Sequence, residues 1–188
     1  GFLHVSDVAL GGPKGGSSRA ARGSGRLSRA RQLLQSGREL LVQIKKEGVG
    51  NKGPALTTHL SLPGRHLVLM PSLGRIGVSK RIADPALREA LKATLASLRP
   101  LEGMGFVIRT EARSADLEEL RKDADDLLER WRALAALAEA SPAPALVHAE
   151  EDLVLRALRD CLTSDVSEIW IDSPAAYARA REFIVRFA

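Results

Sequence analysis

The clearest chemical pattern in this sequence is a series of cations set between short apolar segments in residues 37–81. Eight Lys or Arg residues lie in this stretch, against only two acids, Glu39 and Glu47. The apolar segments alternate with glycines, which is typical of short strands and tight turns. Cations displayed on a small β scaffold suit a ligand with many negative charges. The stretch therefore predicts a polyanion-binding surface.

Arg109 and Thr110 are the best single candidate for an anion site. They follow an apolar segment expected to be a strand, and Ser114 is expected to begin a long helix just after them. A guanidinium can grip two phosphate oxygens with its planar fork, and threonine adds a hydroxyl donor. The alternative is an arginine at a strand end that pairs with a nearby acid, such as Glu111 or Asp116.

A second candidate is the segment Ser79-Lys80-Arg81, which follows Gly77. Glycine lets a ligand approach the backbone closely, and two adjacent cations would attract an anion. The alternative is that both cations are ordinary solvated side chains.

Charge is divided unevenly along the chain. Residues 1–81 hold 14 Lys or Arg and 3 Asp or Glu, whereas residues 82–188 hold 14 Lys or Arg and 20 Asp or Glu. A basic half joined to a mildly acidic half predicts that the polyanion site is confined to the first half. The plainer interpretation is a flexible basic arm attached to an ordinary domain.

Length and composition are those of a folded protein. With 188 residues, 45% of them hydrophobic, the chain suffices for one large domain or two small ones. Aromatic residues make up only 4%, which argues against base stacking as the main mode of binding. Cys161 is the single cysteine, which excludes an internal disulfide and a Cys-x-x-Cys zinc site. Because the sequence also contains no signal peptide or membrane-spanning run, we expect a cytoplasmic protein.

Apolar periodicity and turn residues predict an α+β chain. Strands are expected at 1–6, 39–45, 54–61, 66–70, 105–110, 146–148 and 167–172. Helices are expected at 29–36, 85–98, 114–140, 152–162 and 173–187. Residues 10–30 are rich in Gly, Ser and Arg, so we expect a disordered basic loop there.

The sequence gives no metal-binding pattern. The four histidines lack the spacing of metal ligands. Seven acids between residues 116 and 129 are interleaved with Lys and Arg, so we expect them on a solvated helix face and not around Mg²⁺.

The order of these motifs closely resembles the N-terminal half of the ribonuclease E/G family, which cuts single-stranded RNA. The resemblance is carried by Asn51-Lys52-Gly53-Pro54, Pro63-Gly64, Ser79-Lys80-Arg81 and Ile108-Arg109-Thr110. It implies part of an S1-type (OB-type) β-barrel at residues 1–63. It further implies a mixed α/β 5′-sensor region at 64–150 and part of a ribonuclease H-like region at 151–188.

The resemblance also implies roles for individual residues. Arg109 and Thr110 would bind the 5′-monophosphate of the RNA, and Gly64 and Val68 would line the same pocket. Val68 could equally belong to the core. Family members often carry Ser-Arg-Arg where this chain has Lys80 in the phosphate-facing place. Lysine keeps the charge but loses the bidentate fork.

Two further residues match the S1 part of the family. Lys52 would contact the RNA chain, and Phe2 would stack on a base, a contact of about 1–3 kcal/mol. For Phe2 a place in the core is the alternative, because Leu3 and Val5 are also apolar.

By this resemblance the parent enzyme would hydrolyse phosphodiester bonds in single-stranded RNA with Mg²⁺, in RNA processing and decay. The RNA would preferably carry a 5′-monophosphate, and the parent could be a homo-oligomer. The family's two Mg²⁺-binding aspartates and its zinc-binding Cys-containing link follow in a later domain, and neither motif is found here. We therefore expect a fragment with no catalytic residue, cofactor or ribonuclease activity of its own. The alternatives are a stand-alone S1-like RNA-binding or scaffold protein, and a small-molecule phosphate enzyme that uses Arg109.

Overall fold

The structure is a computed structural model that describes residues 1–9, 30–97, 104–149, 153–162 and 166–187. The basic loop predicted at 10–30 lies outside these residues, apart from Ala30. The chain forms two units, Gly1–Ala143 and Pro144–Ala188. Strands and helices are both present, which confirms the mixed α+β class. No helix in the described ranges is long and apolar enough to cross a membrane.

The first unit begins with a three-stranded sheet. Its strands are β1 (Phe2–Leu3), β2 (Gln43–Lys46) and β3 (Ala55–Thr57), in the order β1-β3-β2. β1 runs parallel to β3, whereas β2 and β3 are antiparallel and form the predicted hairpin. Gly50 in the hairpin connection has a φ of +59°, a conformation that glycine adopts without steric cost. Whether this sheet belongs to an S1-type barrel stays a prediction.

A four-stranded sheet follows. β4 (Leu62–Pro63), β5 (Leu67–Met70), β6 (Gly77–Val78) and β7 (Gly105–Ile108) lie in the order β4-β5-β7-β6. β5 runs antiparallel to both of its neighbours, whereas β6 runs parallel to β7.

The main hydrophobic core lies between this sheet and two helices. The helices are α1 (Pro85–Ser97) and α2 (Leu117–Ala140). Their inward residues and the alternate residues of β5 and β7 share one cluster in which the following side chains are almost fully buried: Leu67, Leu69, Leu95, Phe106, Ile108, Leu120 and Leu127. Strand alternation leaves Val68 and Val107 on the opposite face of the sheet.

The start of α1 follows the predicted capping pattern. Asp84 Oδ1 accepts a hydrogen bond from the Ala86 N–H at 2.9 Å, and Pro85 is the first helical residue. The carboxylate satisfies one of the N–H groups that the first helical turn leaves without a partner.

The start of α2 differs from the prediction, because Asp116 and not Ser114 is its N-cap. The Asp116 carboxylate accepts from the Glu119 N–H at 2.8 Å, and the Glu119 carboxylate accepts from the Asp116 N–H at 3.0 Å. This capping box satisfies two N–H groups reciprocally, which a lone serine does not. Ser114 instead ends a short 3-10 turn, Thr110–Arg113.

The second unit contains helices α3 (Leu153–Cys161) and α4 (Pro174–Phe187), close to the predicted bounds. The strands predicted at 146–148 and 167–172 are wrong. Both segments are described, and neither is paired with another strand. A short apolar run suggests a strand, but only a neighbouring strand satisfies its N–H and C=O groups.

Gly105, at the start of β7, is a position where a side chain has no room. A Cβ there would overlap the backbone of Leu73 and Arg75. Overpacking costs about 1–3 kcal/mol, so Gly105→Ala should lower the free energy of unfolding by at least that amount. Gly77→Ala on β6 is the matched control, because its Cβ would lie 3.4 Å from Val107 Cγ2, close to ordinary contact.

Urea unfolding measures this difference. The fluorescence of Trp131, which packs against the core, reports on the first unit once Trp170 is replaced by Phe. Equal losses for the two glycine substitutions would contradict the described packing.

Candidate anion-binding site

Five residues make up what we call the anion site: Gly64, Val68, Lys80, Arg109 and Thr110. The topology of the four-stranded sheet brings their backbones to one end. β6 and β7 are parallel, so Lys80 and Arg109 both follow strand ends on the same side of the sheet. The Ser79 N–H donates to the Ile108 carbonyl at 2.8 Å, which fixes these ends next to each other. β5 is antiparallel to β7, so the turn at Gly64 that precedes it lies at this end as well.

The Arg109 side chain reaches the turn before β5. Its Nη1 donates to the Gly64 carbonyl at 2.6 Å, and its backbone N–H donates to the His66 carbonyl at 2.8 Å. The side chain is only 19% exposed, and its Nε lies 3.3 Å from Glu111 Oε2. The pairing with Glu111 that the sequence left open is therefore present, together with the contact to Gly64.

Thr110 and Lys80 flank Arg109 in different ways. The Thr110 hydroxyl donates to Glu111 Oε1 at 3.1 Å. Lys80 is exposed, on a segment whose next carbonyl, that of Arg81, accepts from Arg113 Nη2 at 2.8 Å. The two adjacent strand ends thus carry one exposed cation, Lys80, and one mostly buried cation, Arg109.

Val68 lies on the sheet face that α1 and α2 leave uncovered. Its neighbours Leu67 and Leu69 are fully buried, whereas Val68 is half-buried and pairs with Val107. Arg109 continues β7 with an extended backbone two residues after Val107, so its side chain leaves the strand on the same face. Val68 and Arg109 thus share one face of the sheet.

Asp123 of α2 organises this end of the sheet, a role that its charged neighbours in the sequence do not predict. Its Oδ1 accepts from the Arg65 N–H at 3.1 Å, and its Oδ2 accepts from the His66 and Leu67 N–H groups at 2.8 Å each. The residue is 6% exposed, so the prediction of a solvated acidic face is wrong at this position. Three N–H donors offset the cost of burying the carboxylate.

A signal for Asp123 was present in the sequence. The residue lies three positions after Leu120 and four before Leu127, inside the apolar stripe of the helix. An acid at such a position needs hydrogen-bond donors from outside its own helix.

Gly64 is required by the same contact. A Cβ at this position would lie 2.5–2.9 Å from the Asp123 carboxylate atoms. The Gly64 N–H donates to the Leu67 carbonyl at 2.8 Å and closes the turn. Glycine therefore permits the close approach of Asp123, and its carbonyl then receives Arg109.

Arg88 of α1 supports the segment that carries Lys80. It donates hydrogen bonds to backbone carbonyl groups, whereas Asp123 accepts them from backbone N–H groups. Its Nη1 donates to the carbonyls of Ser79 at 2.6 Å and Ile82 at 2.9 Å, and its Nη2 donates to the Val78 carbonyl at 3.3 Å. One cation thus satisfies three carbonyls where β6 ends. In the sequence Arg88 is indistinguishable from an arginine on a solvated helix face, so no local pattern predicts this contact.

Phe2 and Lys52 belong to the three-stranded sheet. Phe2 is 64% exposed, so its alternative place in the core is wrong. It faces His4, with 6.3 Å between ring centroids. Lys52 is exposed, and the residue after it, Gly53, abuts Gly1, since a Cβ on Gly53 would lie 3.5 Å from Gly1 Cα. The turn that bears Lys52 therefore lies beside the strand that bears Phe2.

A further cation of this sheet, Lys45, is paired within the chain. Its Nζ donates to Asp7 Oδ1 at 2.7 Å. This hydrogen bond, with the charge of Lys45, holds the pKa of Asp7 below its ordinary value. The Lys45 ammonium is therefore already paired with an acid of the same chain before any ligand binds.

Comparison with known proteins identifies the family. Residues 61–188 match the sequence profile of the Ribonuclease E/G family. This chain belongs to the ribonuclease E/G family. The match contains all five residues of the anion site and begins after β3.

Individual relatives extend the ribonuclease E/G match. Ribonuclease E of Haemophilus influenzae is 44% identical over 154 residues, which are 82% of this chain and 16% of the relative. Ribonuclease E of Synechocystis is 35% identical over 187 residues, which are 100% of this chain and 26% of the relative. Ribonuclease G of Haemophilus influenzae is 38% identical over 156 residues, 83% of this chain and 32% of the relative. The chain thus spans a third or less of the length of these relatives.

Replacement of Asp123 tests whether its carboxylate supports the turn. In Asp123→Asn an NH₂ group replaces one acceptor oxygen, so at least one buried N–H loses its partner. Hydrogen bonds to charged groups contribute about 1.5–3 kcal/mol, and we expect the free energy of unfolding to fall by a similar amount.

Asp125→Asn is the matched control, because Asp125 is exposed two residues further along the same helix. Its effect should stay within about 0.5 kcal/mol. Urea unfolding monitored through Trp131 compares the two variants. An Asp123→Asn protein as stable as the unsubstituted chain would refute the supporting role of Asp123.

Proposed function

We propose that this chain binds single-stranded RNA and senses its 5′-monophosphate for an endoribonuclease of the ribonuclease E/G family. The main support is that the backbones of Lys80, Arg109 and the Gly64 turn lie at one end of the four-stranded sheet. Two cations at a strand end suit a terminal phosphate, because it carries more negative charge than an internal phosphodiester. The relatives named Ribonuclease E and Ribonuclease G support an RNA substrate.

The fixed position of Arg109 favours selectivity over general attraction. Its guanidinium is held by the Gly64 carbonyl and is mostly buried, so it cannot follow a moving RNA backbone. A preorganised donor loses little freedom on binding and discriminates by geometry. We therefore assign recognition of the 5′ end to Arg109 and Thr110, with Lys80 as a mobile second cation.

Contacts along the RNA chain are assigned to the first sheet. Phe2 presents an exposed ring that can stack on a base of any sequence, and Lys52 lies in the adjoining turn. This division places end recognition and chain binding on different sheets of the same unit.

Hydrolysis is not assigned to any described residue. Within the described ranges, no three His, Cys, Asp or Glu side chains are grouped so that they could hold a metal ion. The Asp123 carboxylate, beside the Gly64 turn, is engaged with backbone N–H groups. The Mg²⁺-dependent cleavage implied by the family stays a prediction for the whole enzyme.

Removal of Arg109 tests the sensing role. Charge-assisted hydrogen bonds contribute about 1.5–3 kcal/mol, so Arg109→Ala should weaken binding of 5′-monophosphate RNA by about tenfold or more. Binding of the same RNA with a 5′-hydroxyl should hardly change. Fluorescence anisotropy with one labelled oligonucleotide in both forms measures the two affinities.

Two further variants control this experiment. Arg121→Ala removes an equal charge from an exposed position of α2 and should weaken neither RNA selectively. Arg109→Lys keeps the charge but loses the fork, and so separates geometry from charge. An equal loss of both RNAs in a folded Arg109→Ala protein would reduce Arg109 to part of a general basic surface.

Lys52 and Lys80 should respond differently. Lys52→Ala should weaken both RNAs alike and lower the slope of log K against log salt by about 0.7, the value for one phosphate contact on a single strand. Lys80→Arg should bind 5′-monophosphate RNA equally or more tightly, because the bidentate fork is restored. Salt titrations of the same oligonucleotides check both, and a Lys52→Ala effect restricted to the 5′-phosphorylated form would exclude a chain-binding role.

A further inference from the structure

Glu111 lies against both polar side chains proposed to receive the 5′-phosphate. Its Oε1 accepts from the Thr110 hydroxyl at 3.1 Å, and its Oε2 lies 3.3 Å from Arg109 Nε. An anion in contact with both groups is the arrangement expected of the ligand itself. The carboxylate therefore stands where an oxyanion of the RNA would have to bind.

The carboxylate is poorly satisfied in this position. Within the described part of the chain, Glu111 Oε2 is a buried oxygen that accepts no hydrogen bond. Asp123, by contrast, receives three backbone N–H groups. A buried acceptor without a donor is unfavourable, so among the described residues Glu111 is held by its ion pair with Arg109 and by the Thr110 hydroxyl alone, and a better anion has only these two contacts to replace.

A route for that replacement exists in the local structure. The Glu111 side chain is 34% exposed, so a rotation about its own side-chain bonds carries it towards solvent. The Gly64 carbonyl keeps Arg109 in place meanwhile, through a contact that does not involve Glu111. The cation can thus stay fixed while its anion changes.

We propose that Glu111 is an internal anion that occupies the anion site in the absence of RNA and determines which phosphates enter it. This inference rests on the sensing function proposed above. A terminal monophosphate carries close to two negative charges at neutral pH and three acceptor oxygens, so it displaces the singly charged carboxylate. An internal phosphodiester carries one charge and has no such advantage. Glu111 thereby reserves Arg109 for the 5′ end.

Glu111→Gln is the decisive substitution, because glutamine keeps the shape of the side chain and removes its charge. We expect it to tighten binding of 5′-monophosphate RNA by about two- to fivefold, the range for loss of a competing, partly exposed ion pair. Glu118→Gln is the matched control, since Glu118 is an exposed acid at the start of α2. It should leave this affinity unchanged.

A double-mutant cycle with 5′-hydroxyl RNA tests the selectivity. Arg109→Ala should not affect this RNA when Glu111 is present. In the Glu111→Gln background, where internal phosphodiesters can reach Arg109, the same substitution should weaken binding measurably. Far-ultraviolet circular dichroism confirms that every variant is folded.

The outcomes separate this inference from the proposed function. If Arg109→Ala discriminates the two RNAs but Glu111→Gln weakens or does not change binding of 5′-monophosphate RNA, the inference is overturned and Glu111 only orients Arg109. If Arg109→Ala does not discriminate the two RNAs, the sensing function itself fails, and the role of Glu111 fails with it.

Discussion

The end of the four-stranded sheet depends on one contact, in which a helix carboxylate holds three consecutive backbone N–H groups. Successive N–H groups converge on one anion only where the chain curves around it. Asp123 therefore sets the shape of the turn before β5 and its distance from α2. The position of Arg109 follows, because the same turn supplies the carbonyl that its guanidinium binds.

A second ionised side chain, that of Arg88, satisfies backbone carbonyl groups nearby. Where β6 ends, carbonyl groups rather than N–H groups lack partners, and Arg88 supplies donors to three of them. Asp123 of α2 thus supplies hydrogen-bond acceptors where β5 begins, and Arg88 of α1 supplies donors where β6 ends. Arg109 lies between these two strand ends. The backbone there is held from the helix side, and Lys80 remains exposed to solvent.

The sequence predicted those features whose signals are local. Asp84-Pro85 and Ser173-Pro174 mark helix starts through residues that act within one turn, and both helices begin there. The residue type of Arg109 and its place after an apolar run indicate an anion-binding residue. Its Gly64 partner lies 45 residues away in the sequence, and no local pattern predicts that contact.

The wrong predictions concern features that depend on more than the local residue type. The segments 146–148 and 167–172 have strand-like composition, but a strand also needs a partner, and composition does not supply one. The charged neighbours of Asp123 predict a solvated side chain, whereas the N–H groups that donate to it lie 56 to 58 residues earlier in the sequence. Ser114 is a good N-cap by type, yet two acids three residues apart formed the more complete cap.

Asp123 binds the turn through main-chain N–H groups only. This limits which sequence changes would disturb the anion site. Every residue except proline carries an N–H, so the contact with Asp123 does not depend on which side chains stand at positions 65 and 66. Gly64 is different, because any Cβ would meet the carboxylate. Sequence change at the half-buried position 65 can therefore alter a side chain beside the anion site without removing this contact, whereas His66 is buried and its Nδ1 lies 3.3 Å from the Glu111 carbonyl oxygen.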